Sequence, residues 1–374
     1  MVVADRLSRF QMRLRELGLA GAILSDPGTV CHLTGFATPI ETGPSPFWAG
    51  PALALVPAAG PSTLVVADSE PTAAQPGVVD VAAYASYVYA ESLDPGARCQ
   101  VALAGAVRST GLSGRIGVET RCLPLAVAEQ LRAGAPGFEL IDISAEAARL
   151  RAVKDADEIE RLRAAVGLAD VGQTAVRELA RAGVSELELF SAVRGRMEVA
   201  AGQRLPVLAD LISGPRTCEV GGPPSGRVVD AGEPVLADLV PWLGGYWADS
   251  CNVAFAGEPS TSARRLYGII RDVLDAATEA VRPGIVAGDL DALVRSRVRA
   301  IGREYPHHSG HGLGVTYHEE PRIVPGNPVR LEPGMVLALE PGAYGVDGIG
   351  VRLERVLLVT RDGADVLTGF RHGL

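Results

Sequence analysis

Residues 235–249 read VLADLVPWLGGYWAD, and this stretch decides how the fold is interpreted. An apolar run, a turn rich in proline and glycine, and a second strand-like run together predict a β-hairpin. If the hairpin closes symmetrically about Leu243 and Gly244, Asp238 and Asp249 face each other, with Cβ atoms about 5 Å apart. Two like charges on apolar strands are costly when buried, unless a cation offsets them.

A second hairpin is predicted with the same arrangement of charges. The strand 336–340 leads through a glycine-rich turn into the apolar run 350–359. Glu340 and Glu354 are equidistant from Asp347 along the chain, so they should be cross-strand neighbours. The two hairpins would then hold four carboxylates, which is enough to balance two divalent cations.

A histidine flanked by glycines lies between the hairpins, in the segment SGHGLG at 309–314. The glycines allow close approach of the backbone, so the imidazole of His311 is the fifth candidate ligand. Ligands of this composition favour hard or borderline metals, with Mn or Co expected first and Zn or Fe as alternatives. Two such ions, typically about 3.5–4 Å apart, would hold a bridging hydroxide ready to attack a carbonyl. A single acidic residue or loop histidine is usually structural, and it is the combination that predicts the site.

Five features together resemble the pita-bread metallopeptidase superfamily, which includes Xaa-Pro dipeptidase, aminopeptidase P, methionine aminopeptidase and creatinase. They are the two aspartates eleven residues apart, GHGLG at 310–314, HEEP at 318–321, LEPG at 339–342 and GVRLE at 350–354. The similarity covers essentially the whole chain. It implies a creatinase-like α/β N-terminal domain over residues 1–153 and an α+β pita-bread catalytic domain over residues 154–374, with an internal pseudo-two-fold.

Local signals agree with this organisation. Residues 1–153 alternate strand-like runs with amphipathic helices, which indicates an α/β layer fold. Just beyond them, Asp155 with Glu158 and Ser185 with Glu188 have the spacing of capping boxes and predict two helices.

An internal repeat supports the pseudo-two-fold independently of the resemblance. At an offset of 101 residues, the segment 178–197 matches 279–298, and 235–237 matches 336–338. Each half of the catalytic domain should therefore consist of two helices and one acidic hairpin.

The resemblance assigns each metal ligand a role. Asp238 and Asp249 would hold one ion, with Asp249 bridging to the second. His311 and Glu340 would hold the second ion, with Glu354 also bridging. Glu340 would in addition handle the proton of the bridging water, as a general acid and base.

Three further residues match substrate-pocket positions of the family. His318 matches the histidine that contacts the scissile carbonyl and stabilises the developing oxyanion. His307 matches another pocket histidine. Arg352 matches an arginine of the proline-specific branch that orders the site or binds the substrate carboxylate, and its alternative role is that of a partner for Glu354.

Two positions depart from the proline-specific pattern. Gly221 stands where those members have a histidine, so a substrate or proton contact is missing. Asn252 stands where the family usually has an arginine, which removes a fixed positive charge that could recognise a peptide carboxylate.

Three functions are compatible with these features. The first is a binuclear metal-dependent peptidase, either an Xaa-Pro dipeptidase or an enzyme like aminopeptidase P. The second, motivated by Gly221 and Asn252, is a small-molecule amidohydrolase of the same fold, similar to ectoine hydrolase or creatinase. The third is a non-catalytic binding protein on the same scaffold. The expected partner is accordingly a short peptide or a small amide.

Composition limits the other partners and the compartment. The net charge of −9 argues against nucleic acid as a partner, because the sequence has no basic stripe to neutralise phosphates. No apolar run approaches the roughly 20 residues of a membrane span, and the N-terminus has charges where a signal peptide needs its apolar core. The five cysteines are odd in number and lack C-x-x-C pairs, which indicates reduced thiols and a cytoplasmic protein. The resemblance implies a homodimer, and Phe47 and Trp48 could cap a core or line the substrate entrance of a neighbouring subunit.

Overall fold

The computed structural model describes residues 2–38, 50–68, 79–134 and 138–374. Phe47 and Trp48 lie outside these ranges. The chain forms two compact units, Met1–Arg151 and Ala152–Leu374. None of the described helices combines the length and the apolar character needed to cross a membrane.

The first unit is built on a mixed six-stranded sheet. Its strands β1 to β6 are Gly21–Leu24, Leu53–Pro57, Thr63–Ala67, Asp80–Tyr84, Arg115–Val118 and Glu139–Asp142. Their order in the sheet is β4-β3-β2-β1-β5-β6. The helices α1 to α5 are Val2–Glu16, Pro27–Thr34, Pro95–Thr110, Leu125–Gly134 and Ser144–Ala152.

Helices cover both faces of this sheet. Alternate residues of a strand point to opposite faces, and β1 is buried on both. Ala22 and Leu24 share one core with Phe10 of α1, whereas Ile23 shares another with Leu103 of α3. The predicted α/β layer fold is confirmed.

The second unit contains four helices and eleven strands among its described residues. The helices α6 to α9 are Ala156–Leu179, Glu186–Ala201, Thr261–Ala280 and Ala287–Arg299. The strands β7 to β10 are Val207–Ser213, Pro234–Leu243, Tyr246–Trp247 and Cys251–Phe255. The strands β11 to β17 are Gly310–Gly312, Glu319–Ile323, Val336–Leu339, Gly342–Val346, Ile349–Arg352, Arg355–Val359 and Ala364–Val366. A 3₁₀-helix, Gly214–Glu219, follows β7.

The internal repeat is visible in the order of these elements. Helix α9 begins 101 residues after the first residue of α7. Each half continues with a strand that pairs antiparallel with the first strand of an acidic hairpin: β7 pairs with β8, and β11 pairs with β13. Both predicted capping boxes are present, at Asp155 with Glu158 and at Ser185 with Glu188. The two halves therefore have the architecture that the sequence predicts.

The predicted register of the first hairpin is wrong by two residues. Asp238 faces Cys251, and Asp249 lies in the short unpaired segment before β10. The cause is the turn: Leu243 pairs with Tyr246, so the two residues that close the hairpin are both glycines with positive φ, 56° and 97°. Because side chains alternate with a period of two, a shift of two residues keeps Asp249 on the same face of the hairpin as Asp238.

The second hairpin has the predicted register. Leu339 pairs with Arg355, and Gly342 pairs with Arg352. These two ladders share one register, and Glu340 and Glu354 fall opposite each other in the gap between them. The structure thus confirms that they are cross-strand neighbours.

Candidate active site

The predicted ligands converge within the second unit. Asp249, His311 and Glu354 each offer a ligand atom, and these three atoms lie within 4.8 Å of one another. Nε2 of His311 is 3.4 Å from Oδ2 of Asp249 and 3.5 Å from Oε1 of Glu340. All four residues are buried. Asp238 joins the cluster from β8, through contacts described below.

Three carboxylate oxygens in the cluster have no hydrogen-bond donor among the described residues. They are Oδ1 of Asp238, Oδ1 of Asp249 and Oε1 of Glu354, and each is buried. A buried carboxylate oxygen without a partner carries a large desolvation penalty, which a bound cation removes. The donor set therefore fits divalent metal ions.

His311 is oriented for ligation by its second ring nitrogen. Nδ1 lies 2.9 Å from the carbonyl oxygen of Gly312, a contact in which the imidazole must donate its N–H. This fixes the tautomer and leaves the lone pair of Nε2 facing the carboxylates, as in imidazoles that bind metals.

The buried carboxylates shift one another's pKa values. Burial raises the pKa of Asp249, and the charges of Asp238 and Glu340 add to this effect. Burial likewise raises the pKa of Glu354, with a further contribution from Asp249. Burial also acts to raise the pKa of Glu340, but a hydrogen bond from His308 and the nearby His311 outweigh it and hold that pKa below its ordinary value.

Arg352 is a buried cation within the acidic cluster. Its Nη2 donates to Oδ2 of Asp238 at 2.5 Å, and its Nη1 donates to the carbonyl of Val220 at 2.6 Å. Its Nε is 3.8 Å from Oε2 of Glu340. The carboxylate that pairs most closely with Arg352 is thus Asp238, and not Glu354 as the alternative assignment proposed.

His307 and His318 lie at the same site but differ in setting. Nε2 of His307 accepts from the hydroxyl of Tyr344 at 2.8 Å, because Nδ1 must donate to the carbonyl of His308 at 2.7 Å. The ring of His318 is exposed, and its centroid is 4.3 Å from that of His311. Burial lowers the pKa of His307 to about 4. Desolvation of the part of His318 that packs against the cluster, together with the neighbouring His311 and His308, lowers its pKa to about 4 as well. Both rings are therefore neutral near neutral pH.

His308 belongs to the site, although the sequence analysis did not single it out. Nε2 of His308 is 2.7 Å from Oε1 of Glu340, and its ring packs against those of His311 and His318. The segment PHHSGHG at 306–312 offered two adjacent histidines. No periodicity in this loop distinguishes which of them faces the carboxylates.

Asp210 was missed as well. It lies on β7 directly opposite Asp238 in the ladder. A signal was present, since Leu-Ala-Asp occurs at both 208–210 and 236–238.

Asn252 does not face the carboxylates. It follows the residue opposite Asp238, so its side chain points to the other face of the hairpin. There its amide oxygen accepts from the hydroxyl of Tyr267 at 3.0 Å and lies 3.1 Å from Nδ1 of His372. Asn252 therefore has a structural role in this chain, and its side chain does not face the candidate metal ligands.

Comparisons with known proteins identify the family of the chain. Residues 160–361 match the Metallopeptidase family M24, and residues 6–153 match the Creatinase/Prolidase N-terminal domain. "Probable dipeptidase PepE" of Mycobacterium bovis is 30% identical over 100% of this chain and 96% of its own length. The crystal structure of dipeptidase PepE from Mycobacterium ulcerans has a TM-score of 0.76 at 26% identity, covering 100% of this chain and 97% of that one.

The fold extends to more distant proteins. An Xaa-Pro dipeptidase from Bacillus anthracis superposes with a TM-score of 0.85 at 24% identity, over 100% of this chain and 99% of that one. The expected creatinase-like N-terminal domain and pita-bread domain are therefore both present. The chain is a member of the metallopeptidase family M24.

Proposed function

We propose that this enzyme uses two divalent metal ions to hydrolyse the Xaa-Pro bond of short peptides. The observation that carries the proposal is the set of three buried carboxylate oxygens without donors, beside an imidazole whose free nitrogen faces them. The relatives named as dipeptidases support a peptide as the substrate.

The metal ions would be held by the five residues that the sequence predicts. Asp238 and Asp249 would bind one ion, and His311 and Glu340 the other, with Asp249 and Glu354 shared. Mn or Co is expected first, and Zn or Fe second, because oxygen ligands predominate. When bound, such a pair polarises the scissile carbonyl and lowers the pKa of the attacking water.

The residues of the chain would handle the proton and the developing charge. Glu340 is the general base, since the hydrogen bond from His308 and the nearby guanidinium of Arg352 keep its carboxylate ionised. His318 is exposed at the edge of the cluster, where a substrate can reach it. Its neutral ring can donate an N–H to the carbonyl oxygen as negative charge develops there.

A substrate screen tests the proposal. Purified enzyme is incubated with Mn or Co and a set of Xaa-Pro dipeptides, Xaa-Pro-Yaa tripeptides and matched Xaa-Ala peptides. We expect hydrolysis of Xaa-Pro bonds, with dipeptides preferred by a dipeptidase and longer peptides by an enzyme like aminopeptidase P. Hydrolysis of none of these peptides by metal-loaded enzyme would contradict the proposal.

A second candidate is a small-molecule amidohydrolase of the same fold. The observation that favours it is the position of Asp210. Its carboxylate occupies the space that a side chain at position 221 would fill, and position 221 is where the proline-specific pattern has a histidine. A panel of cyclic and modified amino-acid amides in the same screen distinguishes the two candidates. The five candidate ligands argue against a non-catalytic binding protein.

We further propose that the enzyme is a cytoplasmic homodimer. The scattered free cysteines support a reducing compartment. Sedimentation equilibrium of the full chain and cell fractionation test the two parts separately.

A further inference from the structure

Asp210 lies beside the acidic cluster, on β7 and directly opposite Asp238 in the ladder. Its side chain is 36% exposed, whereas Asp238 is 16% exposed. Asp210 therefore borders the buried cluster on its open side.

Position 221 has no room for a side chain, because the carboxylate of Asp210 occupies that space. A Cβ atom at Gly221 would lie 1.9 Å from Oδ2 of Asp210 and 2.6 Å from its Cγ. The backbone of Gly221 has no positive φ that would require glycine. The glycine is therefore explained by the space that the carboxylate of Asp210 occupies.

The guanidinium of Arg352 is buried and permanently charged, so it needs a carboxylate partner at all times. Its side chain is 4% exposed, and one nitrogen, Nη2, serves two acceptors: Oδ2 of Asp238 at 2.5 Å and Oδ2 of Asp210 at 3.4 Å. A guanidinium does not lose its proton in proteins, and leaving such a charge buried without a partner is strongly unfavourable. A carboxylate that binds a cation is a weaker acceptor for this guanidinium.

We propose that Asp210 is a positioning residue that becomes the main counter-ion of Arg352 when Asp238 binds a divalent cation. This inference rests on the metal centre of the proposed function. Asp210 supplies Arg352 with a second carboxylate, so that binding of the ion does not compete with the pairing of Arg352. Arg352 therefore stays in place both with and without the bound ion. Asp210 raises metal affinity because it pairs with Arg352 while Asp238 binds the ion.

A double-mutant cycle on metal affinity tests this role. Binding of Mn to the full chain is measured by isothermal titration calorimetry for wild type, Asp210→Asn, Arg352→Met and the double variant. We expect Asp210→Asn to weaken Mn binding in the protein that keeps Arg352 on the order of tenfold more than it does in the Arg352→Met variant. A purely through-space effect of the lost charge would be equal in both backgrounds, and that result would overturn the proposal.

Gly221→Ala provides an independent test that leaves every charge in place. The added methyl group displaces the carboxylate of Asp210, which is the end of a flexible side chain. We expect several-fold weaker Mn binding by Gly221→Ala and no further loss when Asp210→Asn is added. Unchanged Mn affinity of a folded Gly221→Ala protein would refute the inference.

The crystal structure of the Mn-loaded protein gives the direct readout. We expect Nη2 of Arg352 to lie nearer to Asp210 than to Asp238, the reverse of the present order. If Arg352 remains on Asp238 with the ion bound, the inference fails while the metal centre stands. If wild type binds no Mn at all, the proposed function itself fails.

Discussion

Lys154 and Glu319 form an ion pair that is almost completely shielded from water. Nζ of Lys154 is 2.8 Å from Oε2 of Glu319, and the two side chains are 1% and 2% exposed. Oε1 of Glu319 also accepts from the backbone N–H of Thr316 at 3.2 Å. The pair therefore fixes the turn that carries His318 into the site.

Lys154→Met should destabilise the protein strongly, because it leaves the carboxylate of Glu319 buried without its cation. The expected loss is about 3–5 kcal/mol of unfolding free energy, measured by urea denaturation. Lys154→Met combined with Glu319→Met should recover at least half of that loss, since no unpaired charge remains. A single variant as stable as wild type would show that the pair does not hold the turn.

His308 should matter for catalysis through its contact with Glu340. His308→Phe is expected to lower kcat/KM on the order of 10- to 100-fold, as loss of partners of metal-binding carboxylates does. His308→Gln, which can still donate to Oε1 of Glu340, should retain more activity than His308→Phe. Equal activity of the two variants would contradict a role for this hydrogen bond.

Substitution of Asn252 should lower the stability of the protein and leave substrate recognition unchanged. Asn252→Leu removes the acceptor of the buried Tyr267 hydroxyl, which is expected to cost about 1–3 kcal/mol of unfolding free energy. The cost should shrink in a Tyr267→Phe background, where no hydroxyl is left unpaired. A change in KM for peptides of more than a few-fold would indicate that Asn252 does face the substrate.

Glu119 should make the stability of the protein depend on pH. Burial raises its pKa from 4.5 to about 7 in the folded state, so the folded protein holds a proton that the unfolded chain releases. The contribution of Glu119 to the unfolding free energy is therefore fully present below about pH 4.5 and declines as the pH rises toward 7. Glu119→Gln should be more stable than wild type above pH 7, by about 1–3 kcal/mol, and the difference should vanish near pH 4.5. Thermal unfolding of both proteins across this pH range checks the sign.

The sequence predicts the elements and the main ligands because both leave local signals. The capping residues Asp155 and Ser185 indicate where helices begin, and the acidic residues on apolar strands mark the hairpins. The register of the first hairpin depended on whether Leu243 or Gly245 lies in the turn, and hydrophobic pattern alone does not decide this.

The contacts that the sequence did not predict depend on tertiary packing. Asp210 becomes part of the site only because β7 pairs with β8 in the observed register. His308 faces Glu340 because of the path of an irregular loop, which has no period to read. The face that Asn252 occupies could not be predicted, because it depends on the register of β10 against β8.

The measurement that tests the metal centre most directly is the number of ions bound per chain. Purified wild type is saturated with Mn or Co, freed of excess metal and analysed for metal content. Asp249→Asn serves as the test variant and Asp170→Asn as the control, since Asp170 is another partly buried carboxylate, whose acceptor bonds within the described part of the chain come from Gly369 and Phe370. We expect two ions per chain in wild type and in Asp170→Asn, and at most one in Asp249→Asn. Wild type that retains no ion, or Asp249→Asn that retains two, would contradict the account.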